Sequence, residues 1–155
     1  MQRNEYNKER AVGDGRGLLV GVVVSEFNHD ITEPMLEGAL STLAQWRVKE
    51  KRIHVVQVPG SFEIPLAAQQ LIKRKKVNVV LAIGCIIKGE TKHDEYIAHA
   101  VSQALQRIML DTGIPIGFGI ITPNTLAQAK VRSGGSANKG SEAAHAALQM
   151  ATLKI

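Results

Sequence analysis

Four short apolar runs punctuate the chain: Leu18 to Val24 (LLVGVVV), Ile53 to Val58 (IHVVQV), Val77 to Ile83 (VNVVLAI) and Ile116 to Ile121 (IGFGII). Runs of this length, rich in valine and isoleucine, read as strands buried on both faces. Between them the apolar positions recur at helical spacing. Ile31, Met35, Leu36, Ala39, Leu40 and Leu43 share one face of a first helix, with Thr32 and Pro34 suited to its first turn. A second helix is predicted from Ser61 to Lys76, behind the stop Pro59-Gly60 and with Pro65 near its first turn, where proline is tolerated. A third turns Ile97, Val101, Ala104, Leu105, Ile108 and Met109 inward and stops at Gly113, ahead of Pro115. A short helix opens at Thr122-Pro123-Asn124 and runs through Ala129. A loop then covers Ser133 to Lys139 (SGGSANK), and a last helix covers Ser141 to Leu153, with Ala144, Ala147, Leu148 and Ala151 inward.

Strands alternating with helices, without internal repeats, predict an α/β fold: a four-stranded parallel sheet inside a three-layer α/β/α sandwich. Residues 1–17, with Gly13, Gly15 and Gly17 among charges, read as an arm without its own core, and residues 18–155 as a single domain. In such folds ligands bind beyond the C-terminal ends of the strands. The stretches SEFNHDI, PGSFEIP, GCIIKGETKH and GFGIITPN fall there, so they are read as one site.

Composition changes this picture little. The 155 residues are 45% apolar and 21% charged, ordinary for a soluble domain. The polar N-terminus (MQRNEYNKER) does not read as a signal peptide, and the apolar runs fall short of a bilayer span. Cys85 is the sole cysteine, which excludes an intrachain disulfide and fits a reducing cytoplasm. A net charge of +5 and the run Lys73-Arg74-Lys75-Lys76 raise a nucleic-acid-binding reading. The run falls at a helix C-terminus, where cations suit the dipole, and aromatics make up only 4% of the chain. A basic surface studded with stacking rings is therefore not expected, nor is nucleic-acid binding.

The candidate chemistry centres on Gly84 to Ile97 (GCIIKGETKHDEYI). A strand, a glycine-bearing turn and a helix start leave backbone N–H groups pointing one way, a site for a phosphate. Gly89-Glu90-Thr91 is the phosphate candidate, although most glycine turns bind nothing. His93 stands just inside the helix start, either a proton carrier or an ordinary exposed histidine. His93 and His99 are six apart, the wrong spacing for a metal pair, and Cys85 belongs to no metal motif. No Walker-type lysine and serine follow the turn, which lowers nucleotide binding. Phe27, Phe62 and Phe118 lie near strand ends, where they either pack in the core or meet a flat heterocycle. Glu63 is either a carboxylate favoured by a helix dipole or an acceptor for ligand hydroxyls. Arg132 suits an oxyanion by its planar fork, or is a surface arginine at a helix end; Lys139 is a weaker candidate of the same kind.

Together these segments resemble the lumazine synthase family, through Phe27-Asn28, VPGSFEIP at Val58 to Pro65 and GCIIKGETKHDEY at Gly84 to Tyr96. GIPIGFGIIT at Gly113 to Thr122 and NKGSEAA at Asn138 to Ala144 extend the match, which runs from about Gly21 to Leu153. The resemblance implies a flavodoxin-like sandwich and a cofactor-free, metal-free transferase of riboflavin biosynthesis. Its reaction condenses 5-amino-6-(D-ribitylamino)uracil with 3,4-dihydroxy-2-butanone 4-phosphate, giving 6,7-dimethyl-8-ribityllumazine, phosphate and water. It further implies that Phe27 stacks on the pyrimidine, beside Asn28, Cys85, Ile86 and Ile87. Ser61, Phe62 and Glu63 would line the ribityl pocket, and Gly89, Glu90, Thr91 and Arg132 would hold the phosphate. His93 would shuttle protons, and Phe118 would come from an adjacent chain.

Family members form homopentamers with sites between subunits, and some build 60-subunit icosahedral shells with riboflavin synthase as a possible guest. The arm would then add a strand to a neighbour's sheet. A flavin- or lumazine-binding shell without catalysis is the alternative; it needs neither His93 nor the phosphate groups. Glu26 and Lys88 depart from the arginines common in the family, and the loop after Arg132 is one residue shorter than in many bacterial members.

Overall fold

A computed structural model describes residues 11–155. Most of the expected arm, residues 1–10, lies outside the described residues, and so does its addition to a neighbouring sheet. The rest of the arm packs on its own domain. The Gly15 N–H donates to the Trp46 carbonyl at 2.6 Å, and a Cβ on Gly13 would stand 2.5 Å from the Trp46 ring.

Among the described residues four strands, β1 (Val20–Ser25), β2 (Ile53–Val58), β3 (Val79–Cys85) and β4 (Ile116–Ile121), form a parallel sheet in the order β2-β1-β3-β4. Every residue of β1 and β3 is buried, which is why both read as unbroken apolar runs. Among the described residues the α-helices are α1 (His29–Gln45), α2 (Ile64–Gln70), α3 (His93–Thr112), α4 (Leu126–Ser133) and α5 (Lys139–Ala151). Val22, Val24, Leu81 and Ile83 face a core built with Met35 and Leu43 of α1, Ala129 of α4 and Leu148 of α5. The opposite face, through Val23, Val80 and Ala82, packs Ile64 of α2 with Val101 and Leu105 of α3. These are the three layers of the flavodoxin-like sandwich.

Several expected boundaries shift, each for a local reason. The first and third strands begin two residues later than their apolar runs. Asn78 is turned to the β1 edge instead, accepting the Leu19 N–H at 2.8 Å and donating its own N–H to the Leu19 carbonyl at 2.7 Å. Helix α1 starts at His29, not near Thr32 and Pro34. Asn28 sits in the left-handed region (φ 59°), and its carbonyl already accepts from Ile31 and Thr32, so Pro34 lies inside the helix.

The predicted helix over Ser61 to Lys76 is three pieces: a 3₁₀ turn at Ser61–Glu63, α2, and a π turn at Leu71–Lys75 ended by Lys76 at φ 58°. Its basic run is solvent-exposed, as a helix end should be. Helix α4 starts later than Thr122, because the Thr125 hydroxyl accepts the Gln128 N–H and caps it there. Helix α5 starts earlier than Ser141, since the Asn138 side chain accepts from Gly140 and Ser141. The expected loop before it contains a 3₁₀ turn at Gly135–Ala137. No helix among the described residues is long and apolar enough to cross a membrane.

Candidate functional site

In the order β2-β1-β3-β4 the sheet is built outward in both directions from β1 and β3. The chain therefore leaves these two strands toward opposite sides and opens a crevice at their C-terminal ends. A cavity of about 890 Å³ lies there. Phe27, the segment Pro59 to Glu63, Cys85 to Ile87, Gly89, Thr91 and His93 to Asp94 line it, with Tyr96, Ile97 and Ala100 along α3.

Phe27 is 70% exposed, so it is not a core residue. Its backbone is nonetheless held: the Phe27 N–H donates to the Pro59 carbonyl at 3.1 Å and the Glu26 N–H to the Val58 carbonyl at 2.8 Å. Asn28 does not line the cavity. Its left-handed backbone turns the chain into α1, and its Nδ2 donates to the Cys85 carbonyl at 2.9 Å, joining the exits of β1 and β3. Phe62 is likewise exposed, whereas Ser61 beside it is buried against β3. That approach depends on Gly84, where a Cβ would come within 2.5 Å of the Ser61 hydroxyl. Burial pushes the Cys85 thiol up to about 11, so it stays protonated and is no nucleophile at neutral pH.

Gly89, Thr91 and His93 border the same cavity as Phe27. The amides there are not all vacant, contrary to the sequence reading. The His93 N–H donates to the Thr91 hydroxyl at 3.3 Å, and the Gly89 N–H to the Asp94 carboxylate at 3.4 Å. Glu90 is exposed and does not line the cavity.

Three expected residues lie elsewhere. Phe118, Arg132 and Lys139 line a second cavity of about 470 Å³ with Thr122, Asn124 and Gln128. Arg132 is steadied by donating to the Gln128 carbonyl at 3.0 Å, and Lys139 pairs with Glu142. Within one chain, then, the arginine and the histidine do not share a cavity. The ionisable side chains on the first cavity are Glu63, His93 and Asp94, besides Cys85 and Tyr96; the second carries Arg132 and Lys139.

Sequence reasoning passed over Asp94 and Tyr96 as site residues. The signal was present: with His93 as the first helical residue, Asp94 lies in the same first turn and Tyr96 one helical step beyond. Among the described residues no three His, Cys, Asp or Glu side chains are grouped to hold a metal ion.

Fold and cleft define a class: a flavodoxin-like α/β protein with a small-molecule cleft where its strand order reverses. A family model described as 6,7-dimethyl-8-ribityllumazine synthase matches residues 17–154. Three similar proteins carry that same name. One from Porphyromonas gingivalis is 41% identical over 152 residues, 97% of this chain and 94% of the relative. One from Kosmotoga olearia is 43% identical, over 90% of each chain. One from Thermococcus kodakarensis is 45% identical, over 90% of this chain and 88% of the relative. The chain belongs to the 6,7-dimethyl-8-ribityllumazine synthase family.

Proposed function

We propose that this chain is a transferase that condenses 5-amino-6-(D-ribitylamino)uracil with 3,4-dihydroxy-2-butanone 4-phosphate to give 6,7-dimethyl-8-ribityllumazine, phosphate and water. One observation carries the reading: Phe27, Gly89 and His93 border a single cavity. Phe27 stacks on the pyrimidine, with Asn28 and the Cys85 to Ile87 strand end beside it. Ser61, Phe62 and Glu63 take the ribityl chain, the carboxylate accepting from its hydroxyls. The turn Gly89-Glu90-Thr91 takes the phosphate.

The reaction then needs little beyond placement and proton transfer. The uracil amine attacks the ketone, and water leaves as the imine forms. The carbon beside the imine loses a proton and the phosphoester departs. The resulting enol becomes a ketone, and the ribityl-bearing nitrogen closes the ring with loss of water. His93 accepts and returns these protons, a role worth roughly 10²–10⁴-fold. Main-chain donors stabilise the departing phosphate, and holding two reactants face to face supplies the rest.

The site is completed between copies in this reading. The acids and the imidazole lie in one cavity and Arg132 with Lys139 in the other, so Phe118, Arg132 and Lys139 come from an adjacent subunit of a pentamer. The exposure of Phe62 and Phe118 supports this. The short loop after Arg132 favours a 60-subunit shell, with riboflavin synthase as its guest. Residues 11–17 pack on their own chain through Trp46, and residues 18–155 form one domain. The buried Cys85 fits a cytoplasmic protein.

Mixing the two substrates with protein is expected to produce lumazine fluorescence, and His93→Ala to slow it at least a hundredfold, roughly. A kinetically silent His93→Ala refutes the proton role. Flavin binding without any condensation refutes the enzyme itself.

A further inference from the structure

One carboxylate on the cavity wall holds the Gly89 amide. Asp94 is the second residue of α3, half-buried on the cavity wall, and its Oδ1 accepts the Gly89 N–H at 3.4 Å. That amide is the donor an incoming phosphate would use. Gly89 is exposed, and a Cβ there would meet no atom within 4 Å, so there is open space beside the turn. The surrounding segment does not favour an anion by charge either: Lys88 to Glu95 holds two lysines against Glu90, Asp94 and Glu95.

We propose that Asp94 is a built-in competitor for the phosphate turn and so a determinant of phosphate affinity. This rests on the phosphate placement proposed above. The carboxylate takes the Gly89 N–H and is further favoured there by the positive end of the α3 dipole. A phosphoester must displace it and then lie beside its negative charge. Binding is weakened, and the phosphate released by the reaction is returned to solvent as the carboxylate swings back. The turn is thereby set to grip phosphate when other groups of the substrate add their share, and not to retain inorganic phosphate alone. Glu95, exposed in the same helical turn, makes no hydrogen bond to Gly89 and supplies the control.

The test measures the competitive inhibition constant of inorganic phosphate, with KM for each substrate, in the wild-type assembly and in Asp94→Asn, Asp94→Ala and Glu95→Gln. Loss of the Asp94 charge is expected to tighten inorganic phosphate roughly three- to tenfold and to lower KM for the butanone phosphate in step, leaving KM for the aminouracil unchanged. Glu95→Gln removes an equal charge without the contact and is expected to move both by less than twofold, roughly. A purely structural Asp94 would give the reverse: looser phosphate, a lower melting temperature and higher KM for both substrates. That result, or unaltered phosphate inhibition, overturns the proposal. If phosphate inhibits neither wild type nor any variant, the placement of phosphate at this turn is what fails, and the role of Asp94 falls with it.

Discussion

Replacing Gly84 by alanine tests how the sheet positions one wall of the cavity. The added Cβ would stand 2.5 Å from the Ser61 hydroxyl oxygen, 3.1 Å from Ile64 Cδ1 and 3.4 Å from Ile120 Cγ1. All three neighbours are buried. To regain an ordinary contact near 3.4 Å, the serine oxygen must retreat by roughly 0.9 Å. Serine offers one rotatable bond, and Ile64 and Ile120 close other sides, so the strain passes into the Ser61–Glu63 turn. Overpacking of this kind destabilises by about 1–3 kcal/mol. At roughly 2–4 °C per kcal/mol for a domain of this size, the melting temperature should fall by about 2–12 °C.

The same displacement moves Phe62 and Glu63, which line the cavity. A shift approaching 1 Å can reduce turnover by about 10²-fold. Thermal melting and steady-state kinetics, varying one substrate at a time, should show KM for the ribitylaminouracil rising about tenfold and KM for the butanone phosphate moving less. Gly89→Ala is the comparison, because a Cβ there meets nothing within 4 Å and should leave the melting temperature unchanged. If Gly84→Ala melts with the wild type and keeps its KM values, the wall is not positioned by this approach.

Further predictions follow from the same geometry. Cys85 in the native protein should react with a thiol reagent at pH 8 far more slowly than in denaturant; because its folded pKa is raised to about 11, stability should decline as pH climbs from about 9 toward 11, and a flat melting profile there would contradict this. Asn28→Gly keeps the left-handed turn and loses only the bond to the Cys85 carbonyl, whereas Asn28→Ala also strains the backbone; alanine should be the less stable by about 1 kcal/mol in denaturant titration. His93→Ala and Arg132→Ala chains should each be inactive alone, yet regain activity when unfolded and reassembled together, with about a quarter of randomly mixed interfaces intact. No recovery in the mixture would mean that both residues serve one chain's site.

The strands were legible because β1 and β3 are buried on both faces, so burial is written as continuous hydrophobicity. Even the edge strand β2 was placed to the residue, since Pro59-Gly60 stops it. The helix starts were less legible. Thr32 resembles a cap but is wholly buried, its hydroxyl donating to the Ser25 carbonyl at 2.8 Å, a partner no local pattern reveals. The π turn after α2 is a backbone adjustment without a composition signal. In the site, Phe27, Ser61 to Glu63 and His93 came together as expected, because strand ends at one sheet edge are neighbours by topology. Arg132 did not join them, since the path of α4 depends on packing that spacing cannot express. Asp94 was overlooked because an acidic residue in a first helical turn has an ordinary explanation, which hid its bond to Gly89.

Trp46, the single tryptophan, does not line the crevice and is only 2% exposed. Its indole N–H donates to His145 Nδ1 at 3.1 Å, while Gly13 and Gly15 close over it. The protein therefore carries its own optical gauge of whether the chain's leading segment is seated on the body. Emission from this one fluorophore should redden when that segment lifts away, and it leaves the near-ultraviolet signals of a bound pteridine to be read separately.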